Sequence, residues 1–304
     1  MDNLTIIVPL YRQPNHLATV LYGLVKNSVY KNRIIVVWSD PAQFNHAKMQ
    51  DFMVNMNLNR FHKYDSVEDY IAKRGDWAAE HNIEFLDVTE QAKIFQKEFA
   101  DGKYNPYTKW EDGVDTAWKD NIGIAMSNSE YTMPNYDADF FPSPGWDKIL
   151  MDTLAQLPPK SIVVPVQCQP LNFDKDPEWK YAWNDCKYIA CARLTIPIVG
   201  REQNSPRGGN SIYEWEMEEF FNRWKENVIL KEKPGVRSIL HHFPVLYRTE
   251  ELKNVLGPEH IPLSGAGYDL RWDDDAGKKG FTKYTPRNSW CFHKAFVAVQ
   301  ESDV

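Results

Sequence analysis

Residues 4 to 38 carry two continuous apolar runs, LTIIVPL (4–10) and RIIVVW (33–38), with a helically spaced stretch between them. Both runs are rich in β-branched residues and lack alternating polar positions. That is the pattern of strands buried on both faces of a parallel sheet. Between them, Asn15 is placed to cap a helix whose apolar stripe is Leu17, Leu21, Leu24 and Val25. Strand, helix and strand in that order make a right-handed βαβ unit, which assigns the chain to the α/β class. In open sheets of this class ligands sit beyond the carboxyl ends of the strands. Residues 9–13 and 39–41 are therefore predicted to border a binding edge.

Further elements follow the same logic. Residues 42–81 are polar with a mostly helical pattern, and 83–88 (IEFLDV) reads as a third strand. A helix is predicted over 91–100, ended by Gly102, and a second over 116–127, with Trp118, Ile122, Ala125 and Met126 on one face. A short strand over 131–135 comes next. Ser143-Pro144 is placed to start a helix with the stripe Trp146, Ile149, Leu150 and Leu154. SIVVPVQ (161–167) reads as another buried strand. Later, helices are expected over 212–226 and 250–256, and 201–210 reads as a loop. At 304 residues the chain suits one large domain. There is no internal repeat.

Asp137 and Asp139, in NYDADFFPSPGW (135–146), follow a predicted strand one residue apart. Two carboxylates at that spacing can share one hard divalent cation, directly or through water. Such an ion bridges a diphosphate and neutralises charge on it as it leaves. An isolated acidic pair is more often a solvated loop, so the surrounding residues decide its reading. Phe140 and Phe141 are expected to be core packing.

Those surroundings, WKDNIGIAMSNSEYTMPNYDADFFPSPGW (118–146), resemble the family 2 glycosyltransferases and their relatives with the glycosyltransferase A-type fold. The corresponding parts are Asn121-Ile122-Gly123, the strand at 131–135, Asp137-Ala138-Asp139 and Pro144-Gly145-Trp146. IIVPLYRQPNHL is similar to the family's first strand and turn, with Pro9 and Tyr11 in place and Arg12 where asparagine is common. The likeness covers about the first 165 residues, with 42–115 divergent. It implies a Rossmann-like, mostly parallel central sheet with flanking helices. It also implies a nucleotide-sugar half over about 1–165 and an acceptor half over about 166–304.

The resemblance implies roles as well. Pro9, Tyr11, Arg12, Asp40, Asn121 and Asp137 would bind the donor, with Asp40 reading the base. Asp137 and Asp139 would hold Mn²⁺ or Mg²⁺, and His293, in SWCFHKAF, matches a late histidine ligand; His241 and His242 compete for that role. GAGYDLRWDDDAGKKGF (265–281) resembles the late segment in which an acidic cluster opens a helix. Asp273, Asp274 and Asp275 are thus candidates for the general base, Asp274 first and Asp273 second. Clustered carboxylates raise one another's pKa, which suits a base near neutral pH. The acidic run Glu214, Glu216, Glu218 and Glu219 is a rival. Arg201 and Arg207 lie in a loop able to close over a donor.

The expected activity is a metal-dependent, inverting glycosyltransferase moving a sugar from a nucleotide-diphosphate donor to an acceptor hydroxyl. The acceptor is a saccharide or, by a likeness to virus-encoded transferases, a hydroxylated base in phage DNA. The alternatives are a nucleotidyltransferase acting on a sugar phosphate and a non-catalytic sugar-binding module. The net charge of −7 argues against a general nucleic-acid binder. Against a nucleotidyltransferase, LYRQPN lacks the glycines such enzymes carry after the first strand. Cys168, Cys186, Cys191 and Cys291 form no CxxC pair, so no zinc spacing is present. No signal peptide or membrane span is read, and a reducing, cytoplasmic setting is expected.

Overall fold

The two apolar runs form strands β1 (Leu4–Leu10) and β2 (Arg33–Trp38), joined by helix α1 (Pro14–Asn27). The structure, a computed structural model, describes residues 3–10, 14–40, 64–101, 112–134, 140–168, 210–213, 229–232, 244–256, 268–286, 288–293 and 295–298. β1 and β2 are parallel, with Ile6 beside Ile34 and Val8 beside Val36. Asn15 lies inside α1 and does not cap it: the helix already includes Pro14, whose fixed φ and missing N–H suit a first turn.

The remaining strands are β3 (Ile83–Asp87), β4 (Tyr131–Met133), β5 (Phe140–Pro142), β6 (Ser161–Val163), β7 (Val166–Cys168), β8 (Asn210–Tyr213), β9 (Ile229–Glu232), β10 (Tyr247–Arg248), β11 (Thr282–Pro286), β12 (Trp290–His293) and β13 (Ala295–Ala298). The helices are α2 (Val67–Glu80), α3 (Thr89–Ala100), α4 (Asp112–Met126), α5 (Trp146–Ala155), α6 (Thr249–Glu251), which runs on into a π-helical turn at Leu252–Leu256, and α7 (Tyr268–Lys278).

The central sheet has the order β10-β4-β1-β2-β3, parallel except for β10. An isolated antiparallel bridge between Val163 and Leu246 joins it to a second sheet, β6-β11-β9. Because β10 runs against β4 and the bridge reverses the sense again, β6 runs with β1 and β4. β11 is parallel to β6 and so shares that direction. Helices cover both faces. Side chains alternate along β1: Ile6 and Val8 pack with Leu17, Leu21, Tyr70 and Leu150, while Ile7 packs with Ala117, Ile124, Trp272 and Phe281.

Several expectations change. SIVVPVQ is two strands, broken at Val164-Pro165, because proline cannot donate to a ladder. Phe140 and Phe141, for which no strand is predicted, lie in β5. α5 begins at Trp146, after Gly145 in a left-handed conformation (φ 72°), rather than at Pro144. Ile212 and Tyr213 lie in β8, paired with Val297 and Ala298, so they do not open a helix; residues 214–226 and the loop at 201–209 lie outside the described residues.

α4 departs most from its predicted face. Ala125 and Met126 are exposed, whereas Ala117, Lys119, Asp120, Asn121 and Ile124 are buried. The helix turns a polar stripe inward, so apolar periodicity points the wrong way. Gly123 explains its close approach to β1. A Cβ there would stand 2.4 Å from Ile7 Cγ2. Gly123→Ala is therefore expected to cost about 1–3 kcal/mol by overpacking, read as a lower urea midpoint.

Candidate functional site

The carboxyl edge of the sheet collects the ends of β1, β2 and β3. The exits of β2 and β3 are tied together by hydrogen bonds. Val88 N–H donates to Trp38 O at 2.8 Å, Asp40 N–H to Thr89 Oγ1 at 2.8 Å, and Thr89 N–H to Asp87 Oδ1 at 2.9 Å. Asp40 is thus a half-buried carboxylate on a fixed loop. Beside it, Trp38 Nε1 and Ser39 Oγ are buried and find no hydrogen-bond partner among the described residues. Pro9 is buried one residue from the end of β1, opposite Val37. Tyr11 and Arg12 lie outside the described residues.

α4 reaches the same edge, since it runs back along the sheet to feed β4. Its Lys119 is fully buried, and Nζ donates to the carbonyl of Leu10, the last residue of β1, at 2.9 Å. Asn121 is 9% exposed, with Nδ2 unpartnered among the described residues. A buried amide N–H without a partner costs roughly 1–3 kcal/mol, so it is a group a ligand could satisfy.

Asp137 and Asp139 fall outside the described residues, but the strands on either side are placed. Upstream, Met133 of β4 pairs with Ile6. Downstream, Phe140 of β5 pairs antiparallel with His293 of β12. His293 is therefore opposite the residue that follows Asp139, and paired Cα atoms in such a ladder lie about 4.5–5.5 Å apart. His241 and His242, the rival pair, lie outside the described residues, as do Arg201, Arg207, Glu214, Glu216, Glu218 and Glu219. Among the described residues, no group of three His, Cys, Asp or Glu side chains could hold a metal ion.

The acidic cluster does not open α7. The helix starts at Tyr268, so Asp273, Asp274 and Asp275 occupy its middle, and Asp269 is the acidic residue of the first turn. The three differ sharply. Asp273 is buried, with both oxygens on Lys283 Nζ at 2.7 and 2.8 Å, and Lys283 is itself fully buried. Asp274 and Asp275 are partly exposed and face Lys278 at 2.5 and 3.6 Å. The Asp274 carboxylate, hydrogen-bonded to Lys278, holds that ammonium's pKa above its usual value. Tyr247 packs nearby. Burial, followed by the negative charge of Asp273, pushes its hydroxyl well above the usual tyrosine range.

Sequence reasoning does not single out Lys119, Asp120 or Lys283. The one available signal is WKDN, charged residues inside a helix whose apolar stripe is short. Asp269 escapes notice because helix starts are poorly marked when no Ser, Thr or Asn precedes them.

No protein-family model matches the chain, and no curated protein matches it. Among solved structures, a crystal structure of GalNAc-T7 with UDP, GalNAc and Mn²⁺ aligns over 99% of this chain and 44% of that one, with a TM-score of 0.49 and 10% identity. The chain thus spans less than half the length of that protein. No helix among the described residues is long and apolar enough to cross a membrane.

Proposed function

We propose that this chain is a metal-dependent glycosyltransferase that uses a nucleotide-diphosphate sugar and inverts the anomeric carbon. The observation that carries the reading is the register that sets His293 opposite Phe140, next to Asp139 in the chain. It supports a donor set of two carboxylates and an imidazole, chemistry that suits Mn²⁺ or Mg²⁺. When bound, such a cation supplies charge neutralisation on the departing diphosphate.

In this reading Asp137, Asp139 and His293 hold the metal. Pro9, Tyr11, Arg12, Asp40 and Asn121 line the donor pocket at the carboxyl edge. Asp40 orients the base, and the Asn121 amide offers a donor to the bound nucleotide. The acceptor hydroxyl gives its proton to a carboxylate of α7 as its oxygen bonds to the anomeric carbon. The bond from that carbon to the diphosphate oxygen breaks, and the nucleoside diphosphate leaves with the electron pair. Asp274 or Asp275 takes the proton, or Asp269, which lies nearer the carboxyl edge. Asp273 is already committed to Lys283.

A thermal-shift panel of UDP-, GDP- and dTDP-sugars with Mn²⁺, repeated in EDTA, tests the reading. One nucleotide sugar is expected to raise the melting temperature by a few degrees in Mn²⁺ and not in EDTA. No shift across the panel would favour a non-catalytic module. Release of pyrophosphate from a sugar phosphate and a nucleoside triphosphate would identify a nucleotidyltransferase. Salt-sensitive binding to duplex DNA separates a hydroxylated-base acceptor from a saccharide.

A further inference from the structure

Lys119, Asp120, Asp273 and Lys283 are each at most 3% exposed, two cations and two anions closed off from water. Buried ionisable groups are costly unless paired, and a matched pair of apolar side chains often gives as much stability. A buried ion pair is therefore better understood through what it orients. Lys283 stands on β11, in register with Ile162 on one side and Glu232 on the other. Asp273 stands on α7. The contact uses both carboxylate oxygens, so it restricts the rotation of the helix as well as its distance from the sheet. Apolar contacts of Trp272 and Ala276 alone would tolerate some roll.

α7 feeds β11, which runs with β1, so α7 runs back along the sheet and its first turn lies toward the carboxyl edge. We propose that Asp273 is a positioning residue: held by Lys283, it fixes the roll of α7 and so places Asp269 in the first turn and Asp274 on the exposed flank relative to that edge. The functional part of this rests on the glycosyltransferase reading; the mechanical part does not. Asp269 is one helical turn before Asp273, about 6 Å along the axis. A small rotation at Asp273 therefore moves the whole first turn.

The test uses the full chain with Lys283→Met, Lys283→Arg, Asp273→Asn and the double variant Asp273→Leu/Lys283→Met. The double variant removes both charges of the pair together and keeps the test decisive if a single variant fails to fold. Amide hydrogen exchange is followed in 272–278, whose N–H groups bond within α7, with 149–155 as the internal reference. In the double variant, exchange in 272–278 is expected to rise about tenfold or more while the reference is unchanged. Wild-type exchange there would overturn the proposal. With the nucleotide sugar found in the panel, kcat is expected to fall about 10²-fold at a nearly constant donor KM. Lys283→Arg should recover much of it. Asp273→Asn is expected to keep the acidic limb of the kcat–pH profile; loss of that limb in this variant alone would make Asp273 the base and overturn the proposal. If the wild type turns over no nucleotide sugar, the functional reading falls, and the exchange data still decide the mechanical claim.

Discussion

Asp139→Ala is expected to cut metal-dependent transfer and donor hydrolysis by about 10²–10³-fold, in line with the loss of one group that stabilises developing charge. The expected loss is electrostatic in origin. A diphosphate leaving group gains negative charge as its bond to the sugar breaks, and a cation held by fewer carboxylates is bound less tightly and less accurately. The fold should survive. Asp139 lies between β4 and β5, and both strands are held independently, through Met133 with Ile6 and through Phe140 with His293. The measurement is turnover across a Mn²⁺ titration, paired with a melting curve. Excess metal should recover part of the activity if affinity is the main loss. Wild-type rates in the variant, or in EDTA, would remove the metal role altogether.

The largest stability effect is expected at a residue with no place in the chemistry. Asp147, in the first turn of α5, is fully buried. Its carboxylate accepts from the N–H of Val29 at 2.9 Å, the N–H of Tyr30 at 3.0 Å and Asn32 Nδ2 at 2.9 Å. It thus fixes the turn that leads from α1 into β2. Neighbouring contacts hold the same turn: Trp146 Nε1 donates to Ser28 Oγ, and Gly145 N–H to Asn27 O. Asp147→Ala strands three donors; the N–H groups of Val29 and Tyr30 lie on exposed residues, while Asn32 Nδ2 is buried. With roughly 1–3 kcal/mol for the buried unmet group and a smaller cost for the other two, a loss of about 2–4 kcal/mol is expected. Asp147→Asn keeps one acceptor oxygen and should lose about half as much. Urea unfolding reads both values, and a change below about 1 kcal/mol, near the size of an ordinary surface substitution, would refute the clamp.

The parallel strands are legible in the sequence because strands buried on both faces leave uninterrupted apolar runs. LTIIVPL and RIIVVW could be little else. α4 is legible as a helix but not in its orientation. Its inward face carries Lys119, Asp120 and Asn121, and apolar periodicity cannot register a helix that buries charge. β5 escapes a reading by pattern because three residues are too few to show a period, and its partner β12 lies about 150 residues further along the chain. The candidate site is partly legible for a similar reason. Loops that end strands can be placed by topology, as Asp40 is. The separation of Asp273 from Asp274 and Asp275 cannot be seen, because three adjacent aspartates look alike until the helix assigns one of them to the interior.

The Val163–Leu246 bridge also bears on the order in which the sheet can be completed during synthesis. β10, made from Tyr247 and Arg248, is the partner of β4's outer side, and β11 closes the far side of β6. As the chain leaves the ribosome, β1 to β4 can pair early. The outer edge of β4 then waits for more than a hundred residues before β10 arrives. An open parallel edge of that kind is a template for unwanted pairing. A nascent or truncated chain ending after β6 therefore carries a sticky border that the finished protein has sealed, and the late-made strand, short as it is, acts as the sheet's closing stitch.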